Sequence, residues 1–457
     1  MKFLKIFKSN SMKKLLLLKF ILLVSIHIYA QTKSEKIEEL LKTYSNAGEF
    51  NGTALVSYNS NLLINKGFGF ENVSSKKETS ANTIYQIGSV TKQFTAAVIL
   101  RLEELGKLKT TDQLSKYFPD YPRGNEITIH HLLTHTSGIF NYTNDGSFMA
   151  TEAIKPISED KMLNLFKNKK LDFEPGTKWS YSNSGYVLLG YIIEKASGKT
   201  YEQEVYNCIF KPLKMIHSGF DFAILKNTEK AQGYYTIDGE NSIIAPIVDS
   251  SVSFAAGSIY TTTSDLLKWH EGLLNNKIIK KTSLEKAFTN YNSNYGYGWF
   301  LSENEGKKYQ SHGGGIFGFN AALTRSEVDN SIVVLLNNVG NPKLDQITKT
   351  ILAIINEKPY DIPKLKKEVK IEEALLRKYI GVYEIVPQFK ISISVENGQL
   401  IAQATGQPKF KLFAQNEKYF FVKAVEAEIE FIVNDKNEVE KLVLYQGGKT
   451  MPAKKTE

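Results

Sequence analysis

Cysteine is almost absent from this chain, which has only Cys208 among its 457 residues. A single cysteine excludes an internal disulfide framework, and its position far from the N-terminus offers no lipid-attachment site there. The sequence also lacks internal repeats, long low-complexity segments, and clusters of lysine and arginine interleaved with aromatic residues. Without such basic clusters, nucleic acid is not an expected partner. The composition, 42% hydrophobic and 23% charged, is that of an ordinary globular protein.

One apolar run stands out at the N-terminus, from Leu15 to Ala30. It follows five lysines, at Lys2, Lys5, Lys8, Lys13 and Lys14. This arrangement is typical of a secretory signal. Lys19 interrupts the run and leaves too few apolar residues to span a bilayer comfortably. We therefore predict a signal peptide over residues 1–30, export to the periplasm or beyond the cell, and no stable membrane insertion after cleavage. An uncleaved anchor is the alternative, because His27 and Ile28 are unusual near a cleavage site.

Removal of this segment would change the charge of the protein. Six of the 57 lysine and arginine residues lie within it, and none of the 48 acidic residues does. The apparent basicity therefore belongs mostly to the signal, and the rest of the chain is close to neutral.

The hydrophobic periodicity of residues 31–357 predicts one large α+β domain. Helical spacing at 34–44 is followed by alternation typical of a hairpin at 52–70, and a second apolar helix is predicted at 91–105. The middle of the chain, from 128 to about 281, has mainly helical patterns. Strands are then predicted at 296–301, 320–324 and 331–337, before a helix at 344–355. These patterns indicate an antiparallel sheet flanked by helices, with a largely helical insertion.

The C-terminal part has a different pattern. Two prolines and several charges favour a linker at 358–370, and residues 371–457 are predicted to form a separate small all-β domain. Its strongest signal is the Asn397-Gly398 turn between the strands predicted at 390–395 and 399–404. Further strands are predicted at 418–422, 428–433 and 439–445.

Ser89 and Lys92 form the first candidate site. Three residues apart at the start of a predicted helix, they would place a hydroxyl and an amine on one helical face. A desolvated, neutral lysine can remove the proton of a serine nucleophile. The alternative is an ordinary helix cap. The same spacing occurs at Ser11, Ser74, Ser158 and Ser283, but only Ser89 stands between a strand-like segment and a long apolar helix.

Tyr181-Ser182-Asn183 is the second candidate. The phenol of Tyr181 could relay a proton, and the amide of Asn183 could bind a substrate carbonyl or the lysine amine. Similar triplets begin at Tyr44 and Tyr142, so composition alone does not choose among them. The triplet at 181 is favoured because an apolar helix follows it directly and would hold it rigidly.

The third candidate is the run His312-Gly313-Gly314-Gly315, which is predicted to lead into a strand. Glycines would let a substrate backbone approach the strand closely, and one backbone N–H there could pair with that of Ser89 in an oxyanion hole. A plain glycine-rich turn is the alternative.

Taken together and in this order, Ser89-x-x-Lys92, Tyr181-x-Asn183 and His312-x-Gly314 resemble the three motifs of the class C β-lactamase and penicillin-binding superfamily of serine hydrolases. The stretches 132–138, which reads Leu-Leu-Thr-His-Thr-Ser-Gly, and 175–186 also look like that family. The resemblance covers roughly residues 35–356. The C-terminal segment, including 406–410, resembles the small barrel-like β domains appended to many such hydrolases.

The resemblance implies an acyl-enzyme mechanism with Ser89 as the nucleophile and Lys92 and Tyr181 as its proton-handling partners. It also implies that Asn183 orients the substrate and that the N–H groups of Ser89 and Gly315 hold the oxyanion, next to His312 and Gly314. No cofactor or metal is implied. The expected partner is a small-molecule or peptide substrate, with the cell wall as one source.

His312 departs from the β-lactamase pattern, which has a lysine there. An ordinary histidine is mostly neutral at pH 7, so the site would lack a permanent cation for a substrate carboxylate. The variant resembles the esterase, D-aminopeptidase and peptidase branches, and we expect an ester, amide or peptide as substrate. A true β-lactamase or D-alanyl-D-alanine carboxypeptidase is the first alternative. A peptidoglycan or antibiotic sensor without turnover is the second.

Two further groups carry weaker signals. His131 and His135 lie four residues apart, but no glutamate follows His131, so we expect a structural role below the cleft rather than a zinc site. Residues 295–299, rich in tyrosine and glycine and ending in Trp299, are predicted to be strand and core.

Overall fold

The computed structural model describes residues 31–237, 242–340, 343–362, 368–422 and 427–456. The predicted signal peptide, residues 1–30, lies outside these ranges. Among the described residues, no helix combines the length and hydrophobicity needed to cross a membrane.

A six-stranded antiparallel sheet forms the frame of the first domain. Its strands follow the spatial order Asn61–Phe68, Gly52–Tyr58, Ser331–Asn337, Phe319–Ser326, Lys307–Ile316 and Phe300–Asn304. The N-terminal hairpin thus pairs with a strand almost 300 residues further along the chain, through register pairs such as Thr53 with Leu336. The predicted α+β class, with an antiparallel sheet completed by distant segments, is confirmed.

The strand Ser331–Asn337 is buried throughout and apolar from Ile332 to Leu336, because both of its faces are covered. Val333 and Leu335 pack on one side with the helices Lys33–Asn46 and Leu344–Ile355. Val334 and Leu336 pack on the other side, in the larger cluster that contains the site described below. Alternation of side chains along a strand produces this division.

Helices and short strands occupy the other side of the sheet. The helices besides those two are Thr91–Glu104, Ile129–Leu133, Gly146–Thr151, Glu159–Asn164, Asn183–Ser197, Tyr201–Val205, Lys211–Leu213, Ser250–Gly257, Thr263–Leu274 and Lys281–Ala287. A π-helical turn, Tyr206–Phe210, continues the helix Tyr201–Val205. The short strands are Phe70–Asn72 with Lys77–Glu78, Tyr85–Gln86 with Tyr260–Thr261, and Tyr234–Thr236 with Ile243–Ile244.

The C-terminal domain contains a closed antiparallel barrel. A short helix, Glu373–Leu376, precedes its eight strands, which are Gly381–Val386, Phe389–Glu396, Gln399–Ala404, Phe410–Ala414, Tyr419–Val422, Ala427–Val433, Val439–Gln446 and Lys449–Lys455. The predicted small all-β domain is confirmed. Three strands, at 381–386, 410–414 and 449–455, were not predicted from the sequence.

Two local predictions differ from the structure. Residues 295–299 are core, as expected, but the strand begins only at Phe300. The backbone of Gly296 lies against the end of the preceding helix, where a Cβ atom would stand 2.1 Å from the Ala287 carbonyl oxygen, and Tyr297 donates to that same carbonyl. Conversely, His312 to Gly315 do not merely lead into a strand, because they are part of the strand Lys307–Ile316.

Candidate active site

Ser89 lies in a single 3-10 turn, Gly88–Val90, that runs directly into the helix Thr91–Glu104. Gly88 has a positive φ of 49°, a conformation that glycine adopts at little cost. The serine is partly exposed, whereas most of the helix behind it is buried. The helix therefore presents the Ser89 hydroxyl from a rigid, packed base.

Lys92 is fully buried one helical turn after Ser89. Its Nζ atom lies 2.9 Å from Oγ of Ser89, 2.8 Å from Oδ1 of Asn183 and 2.8 Å from the carbonyl oxygen of Ala256. Burial lowers the pKa of this amine well below its usual value. Among the described residues, no carboxylate opposes this effect, and burial is its only cause.

These three contacts can all be made by a neutral amine. A neutral amine has two N–H donors and one lone pair, and two of its neighbours, the Asn183 and Ala256 oxygens, can only accept. The third neighbour is a hydroxyl, which can donate to the lone pair. The geometry therefore suits a lysine that is ready to take the Ser89 proton.

The Ala256 carbonyl is aimed at Lys92 by a strained turn. Within the segment Ser250–Gly257, Phe254 has φ 34° and ψ −134°, a rare conformation for a residue with a side chain. The helix Asn183–Ser197 leaves room for this turn at Gly190, where a Cβ atom would lie 2.4 Å from the Phe254 ring and 2.6 Å from Ala255 Cβ. The sequence carried no signal for Ala256, because a backbone carbonyl has no side-chain signature.

Tyr181 stands over the buried amine. The centre of its ring is 4.8 Å from Lys92 Nζ, and its hydroxyl is buried. Burial raises the pKa of the phenol, and the nearby Ser89 hydroxyl opposes that rise only in part. The hydroxyl nevertheless has no hydrogen-bond partner of good geometry within the described part of the chain. Tyr181 and Ser89 are thus neighbours whose oxygens are not aligned in this state, and the phenol keeps its proton.

Asn183 begins the helix Asn183–Ser197, and its polar atoms have protein partners. Its backbone N–H donates to Oδ1 of Asn141, its Nδ2 donates to Thr143 Oγ1, and its Oδ1 faces Lys92. Of the two roles predicted from sequence, contact with the lysine amine is the one seen in this structure. Tyr142, which lies between the two loop residues, points elsewhere, since its hydroxyl donates to the Val252 carbonyl.

His312 lies near Tyr181, with the two ring centres 6.2 Å apart. It is buried, with Nδ1 2.6 Å from the Gly313 carbonyl oxygen and Nε2 3.0 Å from the Tyr295 hydroxyl. Since a carbonyl can only accept, Nδ1 carries the proton, and Nε2 accepts from Tyr295. Burial lowers the pKa of His312 to about 3, so this side chain is uncharged at neutral pH.

The glycines after His312 differ in what they contact. A Cβ atom on Gly314 would lie 1.9 Å from the Ile87 carbonyl oxygen and 3.1 Å from Ser89 N, so this glycine lets the strand pack against the serine turn. For a Cβ atom on Gly313 or Gly315 the nearest atom would be 3.8 or 3.6 Å away, respectively, and both glycines are exposed. The expectation that the run serves substrate approach is therefore incomplete, because Gly314 serves internal packing.

The structure thus brings together all seven residues that the sequence singled out: Ser89, Lys92, Tyr181, Asn183, His312, Gly314 and Gly315. The Cβ position of Gly88 is 2.8 Å from Gly315 N, which places the backbones of the serine turn and the strand in direct contact. Within the described ranges, no group of three or more His, Cys, Asp or Glu side chains is placed to hold a metal ion.

Known proteins are similar to this chain over most of its length. A family model described as Beta-lactamase matches residues 37–357, and one described as Domain of unknown function (DUF3471) matches residues 365–455. The Bacillus subtilis (strain 168) protein named penicillin-binding protein 4* is 30% identical over 457 residues, which cover 93% of this chain and 99% of that protein.

Solved structures agree in fold. The octameric penicillin-binding protein homologue from Pyrococcus abyssi superimposes with a TM-score of 0.67 at 26% identity, covering 92% of this chain and 99% of that one. The D-amino acid amidase from Ochrobactrum anthropi SV3 has a TM-score of 0.63 at 21% identity, covering 71% of this chain and 98% of its own.

Proposed function

The chain belongs to the beta-lactamase family and is a serine hydrolase, and from that premise we propose that it cleaves an ester, amide or peptide through an acyl-enzyme on Ser89. The observation that carries this proposal is the 2.9 Å separation between Ser89 Oγ and the buried Nζ of Lys92, whose pKa is lowered by burial. A serine hydroxyl becomes an effective nucleophile when such a base lies within hydrogen-bonding distance.

In the first step Lys92 accepts the Ser89 proton as Oγ attacks the substrate carbonyl carbon. The Asn183 and Ala256 oxygens then face a newly formed ammonium group and stabilise it by hydrogen bonds. The negative charge on the former carbonyl oxygen is held by the N–H groups of Ser89 and Gly315. In other enzymes a single donor of this kind contributes about 2.7–4 kcal/mol to transition-state stabilisation.

Collapse of the tetrahedral intermediate requires a proton on the leaving group. Tyr181 is suited to give it, since burial raises the pKa of its phenol and keeps the proton in place at neutral pH. The proton taken by Lys92 then replaces the one that the phenol has given away, a step that requires the Tyr181 oxygen to move into hydrogen-bonding distance of Nζ. Water hydrolyses the acyl-enzyme by the same groups acting in reverse.

The substrate class follows from the charge of the site. His312 is neutral at physiological pH and its two ring nitrogens already have protein partners, so it offers no cation to a substrate carboxylate. This favours esters, amides or peptides without a carboxylate at that position over penicillins and D-alanyl-D-alanine ends. The fold shared with a D-amino acid amidase is consistent with an amide substrate.

We also propose that the protein is exported to the periplasm or beyond the cell, where cell-wall peptides are one source of substrate. The lysines and the apolar run of residues 1–30 support this localisation.

A substrate panel tests the proposed function. Wild-type protein, Ser89→Ala and the control Ser74→Ala are assayed with p-nitrophenyl esters, D-amino-acid amides and a chromogenic cephalosporin. Ser74 is exposed and shares the Ser-x-x-Lys spacing. This control therefore shows whether the spacing alone, outside the buried site, is enough to make a serine necessary for activity. We expect ester or amide turnover by wild type and Ser74→Ala, its loss in Ser89→Ala, and poor cephalosporin turnover. Fast cephalosporin turnover would favour a β-lactamase, and a lasting adduct on Ser89 without product release would favour a sensor.

A further inference from the structure

We propose that His135 is the positioning residue for Tyr181, and that it acts by holding the backbone on both sides of the tyrosine and the face of its ring. The inference rests on the proposed function, in which Tyr181 gives a proton to the leaving group. His135 belongs to the stretch 132–138 that the sequence singled out, and the mechanism above does not use it.

The need for such a residue comes from Tyr181 itself. Its buried hydroxyl has no hydrogen-bond partner of good geometry in the described residues, so no bond of its own fixes the phenol. A proton donor must nevertheless be held close to its target, because proton transfer requires heavy atoms within hydrogen-bonding distance. The position of Tyr181 must therefore be set by its backbone and by the packing of its ring.

His135 supplies contacts of both kinds. Its carbonyl oxygen accepts from the N–H of Ser180 at 2.9 Å, and its ring Nδ1 accepts from the N–H of Ser182 at 3.2 Å. These are the residues directly before and after Tyr181. The His135 ring also packs on the Tyr181 ring, with centres 4.3 Å apart. One residue thus holds the tyrosine from three directions.

The protonation state of His135 follows from these bonds. Because Nδ1 accepts from a backbone N–H, it carries no proton, and in the neutral ring the proton sits on Nε2. Burial lowers the pKa of His135 well below its usual value, so the ring stays neutral. Nε2 is buried with no hydrogen-bond partner in the described part of the chain. Only Nδ1 of the His135 ring therefore has a hydrogen-bond partner. Another side chain that places one acceptor atom at the position of Nδ1 should be able to replace the histidine.

The backbone of His135 narrows the choice of replacement. Its φ is 58°, in the left-handed region, where asparagine is the side-chain-bearing residue best tolerated. Asparagine also places its Oδ1 close to the position of histidine Nδ1, whereas glutamine places its amide one bond further out. Comparison of His135→Asn with His135→Gln therefore tests whether the acceptor must lie at the position of Nδ1, or whether any polar side chain is sufficient.

His131 provides a matched control in the same stretch. Its Nδ1 accepts from the Thr128 N–H at 3.3 Å, an interaction of the same kind at the start of the helix Ile129–Leu133. No ring contact joins it to Tyr181 in the described structure, since its recorded ring neighbour is His130.

Leaving-group dependence distinguishes positioning from general destabilisation. We compare kcat/KM for a p-nitrophenyl ester, whose leaving group departs without a proton, and for the matching alkyl ester or amide, whose leaving group needs one. For His135→Gln and His135→Val we expect a loss on the order of 10- to 100-fold on the alkyl substrate, as for a weakened general acid. The loss on the nitrophenyl ester should be several-fold smaller. His135→Asn should restore the alkyl activity to a large extent, and His131→Asn should leave the ratio of the two activities unchanged.

Two outcomes would overturn the inference. Equal losses on both substrates would show that His135 acts only through general stability, and wild-type activity on the alkyl substrate in folded His135→Gln would show that it does not position Tyr181. If His135→Val fails to fold, the comparison between Asn and Gln decides. Retained activity in Ser89→Ala would instead refute the proposed function, so the two failures are distinguishable.

Discussion

Nζ of Lys92 lies 2.9 Å from Oγ of Ser89 in a position where its other two neighbours, the Asn183 and Ala256 oxygens, can only accept hydrogen bonds. This arrangement suits a lysine that is neutral in the folded protein and that is protonated when the chain unfolds. The same relationship links the chemistry of the site to the stability of the fold.

Stability should therefore depend on pH through Lys92. Burial lowers the pKa of this amine in the folded state. Between that lowered value and the ordinary value near ~10.4, the unfolded chain binds one more proton, so the free energy of unfolding rises with pH by about 1.4 kcal/mol per unit from this group. Lys92→Met lacks this contribution. Urea denaturation at pH 7, 8 and 9 should show that the free energy of unfolding of the wild type, relative to that of Lys92→Met, increases by about 1.4 kcal/mol per pH unit.

The activity of the same variant provides the companion measurement. Lys92→Met should lose about 10²–10⁴-fold in kcat/KM, the usual worth of general base catalysis. Parallel pH-stability curves for the two proteins would contradict a neutral Lys92.

A second prediction concerns His312 and the charge of the substrate. Because its pKa is lowered to about 3, His312 stays neutral from pH 8 down to pH 5. The kcat/KM for a carboxylate-bearing cephalosporin, relative to that for a neutral ester, should not rise over this interval. An ordinary histidine, titrating near ~6.5, would become cationic and raise the ratio.

Replacement of His312 extends this test. His312→Lys should raise the cephalosporin-to-ester ratio, whereas His312→Gln, which is uncharged, should not. Circular dichroism and the Tm identify variants that have lost their packing at this buried position. A ratio that rises equally in both variants would show that charge at this position does not select the substrate.

Neighbouring glycines give a third prediction with an internal control. Gly314→Ala would place a Cβ atom 1.9 Å from the Ile87 carbonyl oxygen and 3.1 Å from Ser89 N, so the serine turn must move. We expect a lower Tm, corresponding to about 1–3 kcal/mol of overpacking, and a large loss of ester turnover. Gly313→Ala meets its nearest atom at 3.8 Å and should keep both properties. Similar behaviour of the two variants would refute the packing role of Gly314.

Much of the fold could be predicted because its elements carry regular patterns. The helix Leu344–Ile355 and the strand Ser331–Asn337 were predicted to the residue, since each is long and consistently apolar on the faces it buries. The strand Lys307–Ile316 was not predicted, because its first half begins with two lysines and alternates poorly, and the glycines of its second half have no side chains to show a period. The strand expected at 296–301 was displaced because Gly296 packs against a helix end rather than in a ladder.

The site itself was predictable only where side chains carry the chemistry. Ser89, Lys92, Tyr181 and Asn183 could be selected by spacing and context, and the structure gathers them. The Ala256 carbonyl could not be selected, because its role comes from the backbone turn at Phe254, about 160 residues away from Lys92 in the chain. Likewise, which ring nitrogen of His312 carries the proton could be assigned only from the hydrogen-bond partners of the two nitrogens in the structure.

The most direct test of the account is the intact mass of the protein, quenched within milliseconds to seconds of mixing with a p-nitrophenyl ester. We predict a transient gain equal to the acyl group, located by peptide mapping on Ser89, and no gain in Ser89→Ala. Continued ester turnover by Ser89→Ala, or an acyl group found on another residue, would contradict it.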